Sequence, residues 1–141
     1  MRADAPAFVD ANVLVYAFDA SAGPKQKAAG ELLEALWIAQ TGCLSVQVLQ
    51  EFFVTITRKV PRPLSADDAA ARIREFSTWE VFAPVADDVL DAIAIHKSTG
   101  LSFWDALIVH AAAELQCETL WTEDLAGGQT IRGVQIRNPF R

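Results

Sequence analysis

An α/β layer fold with a largely parallel central sheet is the architecture this sequence predicts, and three observations carry the prediction. Short apolar runs of strand length alternate with longer stretches of helical periodicity. The 141 residues suit one compact domain spanning 1–141. With 52% hydrophobic and 21% charged residues, the chain can bury a core of its own, which excludes a disordered tail protein. There is no internal repeat and no linker rich in Ser, Gly or Pro. The longest loop candidates, Pro61–Leu64 and Ala126–Thr130, are short.

The elements follow in chain order. Ala7-Phe8-Val9 reads as a buried strand ended by Asp10, with Asn12 the expected N-cap of a stretch Val13–Phe18. Gly23-Pro24 starts a second helix, Pro taking its first position. Its Ala28, Ala29, Leu32, Leu33, Leu36 and Trp37 share one apolar face. After a short strand Gly42-Cys43-Leu44, Ser45 caps a helix that runs to about Val60 and is stopped by Pro61 and Pro63. Ser65 and Asp68 have capping-box spacing for a helix to about Ser77. Trp79–Val85 holds a strand candidate bounded by Pro84. Asp87 or Asp88 then starts a helix that closes at Gly100. Ser102 and Asp105 open a last helix to about Gln116, and Thr119–Thr122 and Gly133–Ile136 are the final strands.

Composition narrows the function classes. Charged residues interrupt every apolar run before it is long enough to span a bilayer, so no membrane anchor is expected. No basic segment followed by an apolar core opens the sequence, so no secretory signal is expected either. Cys43 and Cys117 lack ligand-like spacing and suit a reducing, cytoplasmic location. Twelve basic against 18 acidic residues give a net charge of −6, which argues against a generic nucleic-acid coat. An enzyme whose acids gather in one metal-binding cleft remains open.

Three acids stand out by position. Asp10 is the only charged residue between Ala5 and Phe18, at the carboxyl end of the first strand. A carboxylate in such surroundings is paired, metal-bound or protonated, and an ordinary helix cap explains it equally well. Asp105 lies in the first turn of a helix that is apolar nearly all round, where it either faces a cleft or completes the Ser102 capping box. Asp124 follows the strand Thr119–Thr122, with Glu123 beside it competing for the same role. An acidic turn is the plain alternative. Glu51 behaves differently. Val46, Leu49, Phe52, Phe53, Ile56 and Val60 define the expected buried face of its helix, and Glu51 points away from it. A solvated face and the border of a wet cleft look the same in such a pattern.

The set matters more than its members. Carboxylates brought together repel one another unless a cation or protons sit among them, and all-oxygen donors select Mg²⁺ or Mn²⁺ over zinc. His96, near a helix end, and His110, read as a hydrogen-bonded core or interface residue, offer no convincing alternative ligand set. The absence of Walker, GxGxxG and GxSxG motifs removes nucleotide-loop, dinucleotide and serine-hydrolase chemistry.

Phe8-Val9-Asp10-Ala11-Asn12-Val13-Leu14-Val15-Tyr16, Glu51 in the helix after Ser45, Ser102-Phe103-Trp104-Asp105-Ala106-Leu107-Ile108 and Thr122-Glu123-Asp124-Leu125 together resemble PIN domains. The ending Gly133-Val134-Gln135-Ile136-Arg137-Asn138-Pro139-Phe140 is similar to the VapC-type toxins of that family. The resemblance implies a Rossmann-like three-layer α/β/α fold and a metal-dependent endoribonuclease that cuts RNA with a metal-activated water. Asp10, Glu51, Asp105 and Asp124 match the family's acidic quartet, with Asp10 and Asp105 expected as direct metal ligands. Asn12 and Thr122 match its accessory polar positions, which orient ligands. Mg²⁺, replaceable by Mn²⁺, is the implied cofactor; a VapB-like antitoxin and a second copy of the chain are the implied partners. For Glu51 the resemblance and the helical pattern disagree.

Two groups of basic residues, Arg58, Lys59 and Arg62 and then Arg132, Arg137 and Arg141, suit either RNA phosphates or plain solubility. Leu32, Leu36, Trp37, Phe52 and Phe53 suit an interface or, by default, the core. Two rival readings remain. A phosphohydrolase of haloacid-dehalogenase type would use Asp10 as nucleophile, but needs a second Asp where Asn12 stands. A catalytically idle PIN-like binding module would not need all four acids.

Overall fold

The computed structural model of the chain describes residues 5–125 and 127–141. The first residue of the loop candidate Ala126–Thr130 therefore lies outside the described residues. The elements are β1 (Ala7–Val9), α1 (Ala11–Phe18), α2 (Pro24–Ala39), β2 (Gly42–Ser45), α3 (Val46–Arg58), α4 (Ala66–Phe76), β3 (Glu80–Phe82), α5 (Ala86–Thr99), α6 (Phe103–Glu114), β4 (Thr119–Trp121), β5 (Thr130–Ile131) and β6 (Val134–Arg137). The six strands form one sheet in the order β3-β2-β1-β4-β6-β5, parallel throughout except for the β5–β6 hairpin. Helices α1–α4 pack as one contiguous group and α5–α6 as another, which gives three α/β/α layers.

Local chemistry explains most boundaries. The side chains of Ser45, Ser65 and Ser102 accept hydrogen bonds from the amides of Val48, Asp68 and Asp105, so each of three helices starts at a satisfied cap. Pro24 holds the first turn of α2, and Gly100 ends α5 in the left-handed conformation (φ 77°). Two starts differ from expectation. Asp10, not Asn12, caps α1: its Oδ1 accepts from the Ala11 amide at 2.7 Å, so the helix begins two residues earlier. α5 begins at Ala86, with Asp88 reaching back to accept from the Val85 amide. The β5 arm was not expected, because two residues are too short to carry a period.

β1 and β4 lie at the centre of the sheet, and Phe8, Val9 and Leu120 are fully buried there. Parallel strands covered on both faces read as continuous apolar runs, as these do. The buried face of α3 is Gln47, Val48, Phe52 and Ile56. Val46 and Phe53, expected on that face, are exposed instead, as is Trp37 of α2 at 38%. The reason is rotational: α3 contacts the core through a narrower stripe than its apolar composition supplies. Leu36 and Phe52 are buried in the core, and Leu32 packs against it. Both cysteines are free and buried. No helix among the described residues is long and apolar enough to cross a membrane.

One backbone contact carries a stability prediction. A Cβ on Gly42 would lie 2.4 Å from ring carbons of Trp79, which packs against Trp37 and Phe76. Gly42→Ala must displace that ring and is expected to cost about 1–3 kcal/mol, as overpacking does. Chemical denaturation followed by tryptophan fluorescence checks this. An unchanged midpoint would show that the aromatic cluster yields freely.

Candidate metal centre

In a parallel sheet every strand ends on the same edge, and here the chain order reverses between β1 and β4. After β1 the strands step outward through β2 to β3; the chain then returns to β4 on the other side. Crevices at such a reversal, beyond the carboxyl ends of the strands, are where α/β sheets bind ligands. Asp10 directly follows β1, and Asp124 lies three residues past β4. Glu51 stands in the second turn of α3 and Asp105 in the first turn of α6. The Gln47 amide joins those two helix starts, donating to Glu51 Oε1 (2.7 Å) and to the Trp104 carbonyl (3.3 Å).

Electrostatics tie the four acids together. Asp10 is only 5% exposed, and loss of solvent pushes its carboxyl up to about 7. Bonds from the Thr122 hydroxyl and the Ala11 amide oppose the rise, while the charges of Glu51 and Asp124 add to it. The Glu51 carboxyl is also raised, first by desolvation, against the Gln47 bond, and further by Asp105 and Asp124. Asp10 and Glu51 thus each sense Asp124 as well as another acid of the quartet. The donor set is all oxygen, and among the described residues none of the four acids makes an ion pair, which fits a hard divalent cation.

Neutral donors orient three of the acids. Thr122, fully buried, donates to Asp10 Oδ2 at 2.9 Å and accepts from the Asp124 amide at 3.2 Å and from Asn12 Nδ2 at 3.3 Å. Asn12 Nδ2 also donates to Asp124 Oδ2 at 2.9 Å. Gln47 does the same for Glu51 and was missed in the sequence; its signal was the i, i+4 spacing to Glu51. Glu123 turns elsewhere. Tyr16 and Lys25 donate to its two carboxylate oxygens. Although desolvation alone would raise the Glu123 carboxyl, those two donors and the Lys25 charge leave it lowered. The two neighbouring acids thus occupy different environments.

A cavity of about 850 Å³ is lined by Pro6, Gly42, Cys43, Trp79, Glu80 and Glu114 among others, and by none of the four acids. It lies at the start of β1 and β2, opposite the acidic edge. Among the described residues, the group of metal-type donors drawn within 4.8 Å of one another is Asp88, Asp91, His110 and Glu114, on α5 and α6. This acidic and histidine cluster is consistent with a divalent metal site. No three of the quartet at the strand ends are drawn so tight. The expected hydrogen-bonded state of His110 holds, since its Nε2 lies 2.7 Å from Asp88 Oδ1.

A family model for the PIN domain matches residues 7–126. The chain belongs to the PIN domain family. Solved structures similar to this PIN domain include a chain of a toxin–antitoxin complex from Klebsiella pneumoniae, 23% identical with a TM-score of 0.68 over 91% of this chain and 94% of that one. VapC20 of Mycobacterium tuberculosis, a toxin that cleaves the sarcin–ricin loop, is 23% identical with a TM-score of 0.64, covering 84% of this chain and 89% of that one. The VapBC2 complex of Rickettsia felis, bound to a DNA fragment from its promoter, is 19% identical with a TM-score of 0.65, covering 94% and 97%. At these identities the likeness establishes the shared PIN fold. No curated protein sequence gives a significant match. Membership also disposes of the haloacid-dehalogenase reading, in agreement with Asn12, which donates to Asp124 and offers no second carboxylate.

Proposed function

We propose that this chain, a single PIN domain over 1–141, is a metal-dependent endoribonuclease and the toxin of a toxin–antitoxin pair. The reading rests on one observation above all: Asp10, Glu51, Asp105 and Asp124 reach the same edge of the sheet at its topological switch. These four hold Mg²⁺, or Mn²⁺ in its place, with Asp10 and Asp105 as direct ligands. Such an ion supplies a more acidic water and neutralises charge on the scissile phosphate.

The chain's own groups prepare that site. Thr122 donates to the Asp10 carboxylate, Asn12 to that of Asp124, and Gln47 to that of Glu51. Orienting donors of this kind preserve ligand geometry before anything binds. No side-chain nucleophile is required, since attack by water suffices for phosphodiester hydrolysis. The substrate is RNA, the location cytoplasmic, and the partners a VapB-like antitoxin and a second copy of the chain. Support for the antitoxin comes from the similar structures solved as toxin–antitoxin complexes. Exposed apolar side chains on α3 (Val46, Phe53, Val54) and α5 (Val89, Leu90, Ile93) leave surface for such partners.

Withdrawal of the ion tests the proposal. Cleavage of a structured RNA is expected to stop in excess EDTA and to return with added Mg²⁺ or Mn²⁺, but not with Ca²⁺ alone. Cleavage that persists through chelation would remove the metal from the mechanism.

A further inference from the structure

The cluster on α5 and α6 is separate from the acidic edge. His110 and Glu114 lie five and nine residues beyond Asp105 on α6, about 7.5 and 13.5 Å along the helix axis. Their i, i+4 spacing puts both on one face, and Asp88 and Asp91 face them from α5 at i, i+3. The four ligand atoms all fall within 4.8 Å of one another.

We propose that Asp88, Asp91, His110 and Glu114 form a second cation site, one that takes a zinc-class ion and links α5 to α6. Four observations support it. First, the donor set is mixed, one imidazole nitrogen with three carboxylates, which favours zinc-class ions over Mg²⁺. Second, the His110 side chain is only 6% exposed, edge-on to Phe82, and aims Nε2 at cluster oxygens: Asp88 Oδ1 at 2.7 Å and Glu114 Oε1 at 4.0 Å. Third, the Val85 amide holds the other Asp88 oxygen, which fixes that carboxylate while leaving Oδ1 turned to His110. Fourth, three carboxylates face a single imidazole, so the cluster carries excess negative charge, and among the described residues Asp91 makes no ion pair.

Size agrees with this. Zinc bonds of about 2.0–2.2 Å in a tetrahedral site place ligand atoms about 3.4 Å apart. The closure needed from 4.8 Å is small, and Asp91 and Glu114 are exposed and free to rotate into place. The site does not depend on the ribonuclease reading and would stand if that reading fell.

The chain's two histidines make the test direct. Metal-free protein labelled with ¹⁵N is titrated with ZnCl₂, and the imidazole nitrogens are followed by NMR. The expected result is one saturating site at which the His110 Nε2 resonance moves to a zinc-ligated position while His96 stays unchanged. Asp91→Asn with Glu114→Gln, both surface changes, should weaken zinc binding by at least about tenfold. Asp10→Asn should leave the His110 shift intact, and a large excess of Mg²⁺ should not reverse it. An unmoved His110 signal, equal affinity in the double variant, or loss of the shift in Asp10→Asn or under Mg²⁺ would each overturn the proposal.

Discussion

Asp10→Asn is expected to lower RNA cleavage by roughly 100-fold or more, because the proposed direct metal ligand loses its charge. The fold is expected to hold, because asparagine keeps an oxygen at the Oδ1 position to accept from the Ala11 amide, while its amide nitrogen replaces the Oδ2 that accepts from Thr122. Stability moves the other way. Burial raises the folded-state Asp10 carboxyl from 3.8 to about 7, so between those values the folded protein holds a proton that the unfolded chain releases. Stability contributed by that proton is present at low pH and is lost as the pH rises through the window. By pH 8, metal-free wild type carries a penalty on the order of 4 kcal/mol that the asparagine variant lacks. Thermal melts in EDTA should therefore show nearly equal stabilities around pH 4 and a more stable variant at pH 8. Mg²⁺ should narrow the gap by stabilising wild type alone. A variant that still cleaves RNA at the wild-type rate, or a pH-independent difference in stability, would remove Asp10 from the proposed centre.

The second large effect separates two adjacent acids. Asp124→Asn should reduce cleavage by about 10- to 100-fold, because Asp124 shares the field of Asp10 and Glu51. Glu123→Gln should leave cleavage within about twofold of wild type. Its carboxylate binds Lys25 and Tyr16 at the start of α2 and on α1. The Lys25 side chain is 44% exposed, so losing that pair should cost at most about 1 kcal/mol. Metal-dependent turnover measured beside thermal stability distinguishes the two roles. If the Glu123 variant is the inactive one, the fourth acid has been assigned to the wrong residue.

Where the acids sit explains which of them could be read in one dimension. Asp10 and Asp105 interrupt apolar sequence, and a charge in such a setting announces a constraint before any contact is known. Glu51 carries no such mark. Its helix turns an apolar stripe to the core and leaves Glu51 exposed, as the periodicity says, yet Gln47 bends that carboxylate toward the start of α6. Exposure and participation are compatible at the rim of a cleft. Glu123 and Asp124 were indistinguishable because the choice depends on Lys25 and Asn12, about a hundred residues away in the chain.

The parallel sheet, the three serine-capped helices, the buried character of α6 and the PIN family pattern were all present in residue order and spacing. Those features arise from neighbours within a few residues, where propensity, capping and periodicity act. The β5 hairpin, the narrower buried stripe of α3, the separation of Glu123 from Asp124 and the Asp88–His110 cluster emerged only in three dimensions. Each depends on groups brought together by packing from distant parts of the chain, and short-range pattern holds no record of which side chain a partner across the fold will meet.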